Sequence, residues 1–138
     1  MDVNPDTTSW KPGYDLPMIN AKHYMKPNVF IEESNVEWEV IDDKVKRKVM
    51  AYDKNLMVVK VAFEEGGVGT LHQHYHSQVT HIESGVFEVQ INEEKKVLRE
   101  GDAFYIPPNV MHGVICLEKG VLIDAFSPMR EDFMKRPE

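Results

Sequence analysis

Beyond residue 36 the chain is cut into short β-prone segments by turn-forming residues, and that punctuation restricts the fold more than any other feature. Val36-Glu37-Trp38-Glu39-Val40 alternates apolar and acidic residues, the period of a half-buried strand. Residues 56–63 are rich in β-formers and suit a strand buried on at least one face. Val86-Phe87-Glu88-Val89-Gln90-Ile91 alternates again before a turn at Asn92-Glu93-Glu94. Arg99-Glu100-Gly101-Asp102 and Pro107-Pro108-Asn109 mark further turns, and Glu118-Lys119-Gly120 separates 111–117 from 121–126. Many short strands at even spacing, with Gly and Pro between them, predict an all-β sandwich or barrel. The only helical stretch the pattern offers is one turn over 130–134.

A chain of 138 residues fits one domain. Residues 1–27 contain Pro, Asn and Asp and hold no sustained period. The expected organisation is an N-terminal arm over 1–35, a barrel over 36–126 and a tail over 127–138 across the barrel mouth. So polar an arm needs a surface to order on. It is expected to pack on its own domain or on a partner subunit, with Trp10, Tyr14, Tyr24 and Met25 as anchors.

Sixteen Lys and Arg against 23 Asp and Glu give a formal charge of −7, which argues against a nucleic-acid partner. The basic run at 44–48 follows Asp42 and Asp43 and suits a solvated strand face. No apolar stretch is long enough to span a membrane as a helix, so no membrane partner is expected. Met1-Asp2-Val3-Asn4-Pro5 has neither the basic nor the apolar region of a secretion signal, and the expectation is a cytoplasmic protein. A lone Cys116 permits no intrachain disulfide, in keeping with a reducing compartment.

The histidines carry the chemistry. Five of six lie between His72 and His112, four of them within His72-Gln73-His74-Tyr75-His76-Ser77-Gln78-Val79-Thr80-His81. Imidazole suits Zn, Ni, Fe and Cu, and two His at i, i+2 on a strand point to the same face. His72 and His74 meet that geometry, Gln78 follows after a short excursion, and His112 stands just after Pro107-Pro108-Asn109. Their joint spacing points to a metal site. His76 shares their parity but falls in the connecting turn, where the readings are a surface imidazole, which is expected, or at most a contact to substrate or behind a ligand. His81 has the opposite parity to Gln78 and should face outward, and His23 belongs to the arm.

A second informative segment is Asp124-Ala125-Phe126-Ser127-Pro128-Met129-Arg130. Glu118-Lys119-Gly120 reads as a three-residue hairpin loop with Leu117 opposite Val121. That register sets His112 opposite Phe126 and Val114 opposite Asp124, bringing Asp124 diagonally to about 7–8 Å from His112 on the same face. Arg130 can then fold back over the barrel mouth. The residues alone leave two readings open, a catalytic pair or an Asp124–Arg130 salt bridge that ties down the tail.

Two motifs carry a resemblance. Gly66-x5-His72-x-His74-x3-Gln78-x6-Gly85 resembles the first cupin motif, with Gln78 in place of the usual Glu. Gly101-x5-Pro107-x-Asn109-x2-His112 resembles the second, with Asn109 in place of Gly, and Asn also accepts left-handed backbone. Cys116 stands where Asn is usual. The resemblance implies a single-domain double-stranded β-helix, or jelly-roll barrel, and a divalent transition metal (Ni, Zn, Fe or Mn) on His72, His74, Gln78 and His112. A neutral amide in place of a carboxylate leaves the site more positive by a unit charge. That favours Lewis-acid polarisation of an anionic substrate and disfavours a ferric state.

A narrower resemblance rests on 122–133, on Gly85-Val86-Phe87-Glu88-Val89 and on residues 102–114. These look like the pectin-degradation cupins of the KdgF type. In that family three His and a Gln bind metal while an Asp, a Phe and an Arg complete the site, which carries over to Asp124, Phe126 and Arg130. The implied activity is conversion of 4,5-unsaturated monouronates to linear 5-keto-4-deoxyuronates, with a small anionic sugar acid as partner. By analogy with cupins a homodimer is expected. The alternatives are a cupin dioxygenase using Fe, Ni or Cu, and a non-catalytic sugar- or metal-binding cupin. Asp124 and Arg130 beside intact metal ligands favour chemistry over binding alone.

Overall fold

The computed structural model describes residues 29–134. Trp10, Tyr14, Tyr24, Met25, His23 and residues 135–138 lie outside the described residues. The strands are β1 (Glu39–Asp42), β2 (Val45–Asp53), β3 (Leu56–Phe63), β4 (Val68–His72), β5 (Ser77–Ile91), β6 (Glu94–Arg99), β7 (Ala103–Ile106) and β8 (His112–Ser127). They form one 8-stranded antiparallel network in the order β1-β2-β3-β8-β5-β6, with β4 also on β8 and β7 also on β5.

Two long strands organise the roll. β5 and β8, of 15 and 16 residues, pair from Ser77 opposite Ser127 to Ile91 opposite His112. The first half of β8 also pairs with β4 and the second half with β3. Each long strand therefore serves both halves of a rolled sheet, which is the jelly-roll barrel that the sequence motifs imply.

Between the halves lies a correction. Glu118-Lys119-Gly120 is not a hairpin loop; β8 runs through it without a break. The bend is made instead by register shifts in β5 between Ile82 and Phe87, with Gly85 at a φ of +90°. A Cβ on Gly85 would stand 2.6 Å from the Gly120 Cα, so the two glycines allow a close backbone crossing rather than a turn. The shifts also exchange the buried face of β5. Gln78, Thr80 and Ile82 are buried before the bend, Phe87 and Val89 after it.

The N-terminal strand starts later than the alternation at 36–40 predicts. A 3-10 turn over Glu33–Asn35 precedes it, and Val36 belongs to the end of that turn. β1 pairs with β2 alone among the described strands and is exposed throughout, Val40 at 74%, because nothing described covers its apolar side. Nor is the basic run uniformly solvated. Lys46 is exposed, but Lys48 is 7% exposed and donates to Glu33, while Lys46 and Lys48 both lie 4.6 Å from the Trp38 ring centroid. The tail forms a 3-10 turn over Glu131–Met134, as the sequence suggests.

The main core joins Val45, Phe63, Ile82, Phe87, Phe104, Ile106 and Leu122 with Cys116, and Phe63 meets Phe87 edge-on at 5.2 Å. A second cluster of Met57, Val59 and Phe126 packs against Met129, Phe133 and Met134 of the tail. Full burial of a side chain such as Phe126 contributes about 1.5–3 kcal/mol, so Phe126 is a substantial anchor for the tail packed on it.

Candidate metal centre

Histidine positions follow from strand pairing. His72 ends β4 directly opposite His112, which begins β8, and their rings stand 4.4 Å apart. His74 lies just beyond β4, with its ring 5.4 Å from that of His72 and 4.8 Å from that of His112. The turn leading to His112 holds this arrangement. Asn109 adopts a φ of +65°, the left-handed form its side chain tolerates, and its N–H donates to the His74 carbonyl at 2.7 Å.

All three rings are oriented alike. The Nδ1–H of His72 donates to the Thr70 carbonyl at 2.8 Å, that of His74 to the His76 carbonyl at 3.2 Å and that of His112 to the Val110 carbonyl at 2.9 Å. Each neutral imidazole is thereby left with an Nε2 lone pair, the tautomer a metal ligand needs. One ligand atom from each of the three falls within 4.8 Å of the others, so the cluster could hold a metal ion. Burial disfavours the charged form of His74 and His112. It lowers the His112 pKa to about 4, and together with the nearby Arg130 charge it also lowers that of His74.

Gln78 fits the same site. Its amide nitrogen donates to Thr80 Oγ1 at 2.9 Å and to Asp124 Oδ1 at 3.4 Å, which turns Oε1 toward His74 Nε2 at 3.0 Å. His74 Nε2 and Gln78 Oε1 thus converge on one point, and His112 Nε2 is buried without a partner. Convergent imidazole nitrogens and an amide oxygen, one nitrogen of them unpartnered, suit a cation.

The proton-transfer candidate stands beside it. Asp124 faces Thr80 across the β5–β8 pair and accepts from the Thr80 hydroxyl at 2.6 Å. Burial pushes its pKa up to about 6, against the opposing pull of Thr80, Arg130 and Gln78. The expected register is therefore corrected. His112 and Asp124 lie along one strand rather than across a hairpin, and β5 is what brings Asp124 to the site.

Arg130 is 9% exposed, with its guanidinium carbon 4.3 Å from the Phe133 centroid and 5.2 Å from that of Phe126. Its ion pair is with Asp132, through Nε at 3.0 Å and Nη2 at 2.8 Å, so the simple Asp124–Arg130 bridge is not the one that forms. His72, Gln78, His112, Asp124, Phe126 and Arg130 line one cavity of about 420 Å³, and His74 abuts it through Gln78.

His76 departs from expectation. It is 3% exposed rather than a surface imidazole, and its Nε2–H donates to Glu131 at 3.1 Å. His81 faces outward as its parity requires. Sequence reasoning gives no role to Thr80, Glu131 or Asp132. Thr80 is within its reach, since it shares the inward parity of Gln78; the two acids are not, because their partners depend on how the tail folds.

The Cupin domain family model matches residues 59–125. The chain is 46% identical over 107 residues to the pectin degradation protein KdgF of Dickeya dadantii (strain 3937), covering 76% of this chain and 96% of that protein. Among solved structures, an RmlC-like cupin from Shewanella frigidimarina NCIMB 400 has a TM-score of 0.75 at 42% identity, over 78% of this chain and 96% of the other. KdgF from a Halomonas species has a TM-score of 0.73 at 40% identity, over 75% of this chain and 98% of the other. With a histidine cluster at the mouth of a jelly roll and relatives matched over nearly their whole length, the chain belongs to the cupin family and resembles its KdgF pectin-degradation members.

Proposed function

We propose that the protein is an enzyme of pectin or alginate breakdown that converts 4,5-unsaturated monouronates to linear 5-keto-4-deoxyuronates without redox change. One observation carries the reading: Asp124, Phe126 and Arg130 line the same cavity as His72, His112 and Gln78. A divalent transition metal on His72, His74, Gln78 and His112 would supply a Lewis acid for substrate oxygens.

The chain's own residues account for the rest. Asp132 occupies the Nε–Nη2 edge of Arg130, so the guanidinium offers its remaining N–H groups to the substrate carboxylate. Phe126 forms the apolar wall beneath the sugar ring. Asp124 takes the proton of the anomeric hydroxyl, the bond between the anomeric carbon and the ring oxygen breaks, and an aldehyde and an enolate remain. A proton returned to C4 then gives the 5-ketone, so atoms balance with no oxidant. A carboxyl with a pKa near 6 is suited to both transfers near neutral pH.

In the same reading the protein is a cytoplasmic homodimer with an arm over 1–35, a barrel over 36–126 and a tail over 127–138. Among the described residues no helix is long and apolar enough to cross a membrane.

The test follows the ultraviolet absorbance of the conjugated double bond in a 4,5-unsaturated uronate. Metal-loaded protein is expected to remove it rapidly and chelated protein to leave only the spontaneous rate. Asp124→Ala should lower turnover about 10²–10⁴-fold with metal content retained. Undiminished turnover in that variant excludes the role given to Asp124. A metal-loaded protein that leaves the absorbance unchanged excludes the reaction, and oxygen uptake would then test for a dioxygenase.

A further inference from the structure

The turn that follows Arg130 is attached to the barrel through one carboxylate. Glu131 uses both of its oxygens on the turn that carries His74: Tyr75 Oη donates to Oε2 at 2.6 Å and His76 Nε2 donates to Oε1 at 3.1 Å. The partners are themselves fixed. His76 is 3% exposed, its ring stacks on that of Tyr75 at 4.0 Å, and it meets His74 edge-on at 5.2 Å and Phe126 at 6.5 Å. The His76 carbonyl accepts the His74 Nδ1–H at 3.2 Å. One turn therefore orients a candidate metal ligand through its backbone and the C-terminal tail through its side chains.

An exposed carboxylate with one partner does little for geometry. Glu131 differs because its two oxygens meet separate donors, one from a buried ring, which fixes direction as well as distance. The short phenol–carboxylate bond is also charge-assisted. Arg130 has no such tie to the barrel wall: its guanidinium bonds to Asp132 of the same turn and lies against Phe126 and Phe133.

We propose that Glu131, gripped by Tyr75 and His76, is a positioning residue that sets the Arg130 guanidinium over the cavity, so that carboxylate recognition is assembled on the metal-binding turn. The inference rests on the reading of Arg130 as the carboxylate-binding group. Glu131 touches no substrate and acts through Arg130. Its loss weakens capture of the sugar acid while the histidines, Gln78, Thr80 and Asp124 keep their places.

The experiment uses the full metal-loaded chain as wild type, Glu131→Gln, Tyr75→Phe, Arg130→Ala and the Glu131→Gln, Arg130→Ala double variant. Turnover of an unsaturated monouronate gives kcat and KM, calorimetry gives the affinity for D-galacturonate, and elemental analysis gives metal content. Glu131→Gln keeps the side-chain volume but turns an N–H₂ or a single acceptor toward two donors. The expected result is a KM and a galacturonate Kd raised about tenfold, equivalent to one charge-assisted hydrogen bond, with kcat and metal content near wild type. Tyr75→Phe, which keeps the His76 bond, should fall between wild type and Glu131→Gln.

On the Arg130→Ala background, Glu131→Gln should weaken galacturonate binding no further. An unchanged KM and Kd in Glu131→Gln overturn the proposal, as does an equal penalty with Arg130 already removed. If the wild type leaves the unsaturated uronate untouched, the proposed reaction fails while the galacturonate titrations still decide the role of Glu131. A wild type that binds no galacturonate overturns the positioning role as well.

Discussion

Thr80 is fully buried between two groups that the proposed chemistry needs held still. Its hydroxyl accepts from the Gln78 amide at 2.9 Å and donates to Asp124 at 2.6 Å, so one atom orients a candidate ligand and the candidate acid–base group together. Thr80→Val keeps the shape and removes that atom. The Gln78 amide is then free to rotate its oxygen away from His74, and Asp124 is left with a buried oxygen short of a donor. The expected cost is about 1–3 kcal/mol of stability by denaturant titration. Metal affinity or turnover should fall about 10–100-fold, the usual consequence of losing a group behind a ligand. Thr80→Ser, which restores the hydroxyl, should recover both. If Thr80→Val binds metal and turns over like the wild type, the hydroxyl orients nothing that matters.

Strands β5 and β8 carry most of the site, and their shared bend is the feature on which its geometry depends. Gly85 and Gly120 approach closely there, and a Cβ on Gly120 would also meet the Ser84 carbonyl. Gly120→Ala is expected to destabilise the barrel by about 1–3 kcal/mol as overpacking, read as a lower denaturant midpoint. Equal midpoints for Gly120→Ala and the wild type would mean that the crossing relaxes freely. The same bend shows what is legible in the sequence. Alternation and turn residues are enough for an all-β roll, and the spacing of His72, His74, Gln78 and His112 is enough for the ligand set, because both are local patterns. Glu118-Lys119-Gly120 resembles a hairpin because Gly after two polar residues is also turn chemistry. Only the close approach to distant Ser84 and Gly85 reveals that Gly120 serves a crossing. Asp124 faces inward all the same, since an unbroken strand keeps even-numbered His112, Leu122, Asp124 and Phe126 on one side. His76 escapes sequence reasoning for a related reason: its burial depends on Glu131 and Phe126, 55 and 50 positions away in the sequence.

Across the whole molecule, the candidate ligands come from the end of β4, the turn after it, the start of β5 and the start of β8. A bound ion would therefore join the 72–78 segment to His112, which is distant from it in the unfolded chain, and an ion that binds only the folded state stabilises it by mass action. At free metal about 100-fold above the dissociation constant the gain is about 2.7 kcal/mol. For a domain of this size that corresponds to a rise in Tm on the order of 10 °C. The metal-free protein also keeps a cost that the ion would remove, the buried and unpartnered His112 Nε2. Thermal unfolding with increasing Zn, Ni or Mn should thus show a Tm that climbs with the logarithm of free metal and falls back on chelation. His112→Ala should lose most of that dependence. The increment should shrink as pH falls, because protons compete for the same imidazole lone pairs that the ion needs. A Tm indifferent to every metal in the wild type would remove the metal from the site and, with it, the Lewis acid on which the proposed uronate chemistry relies.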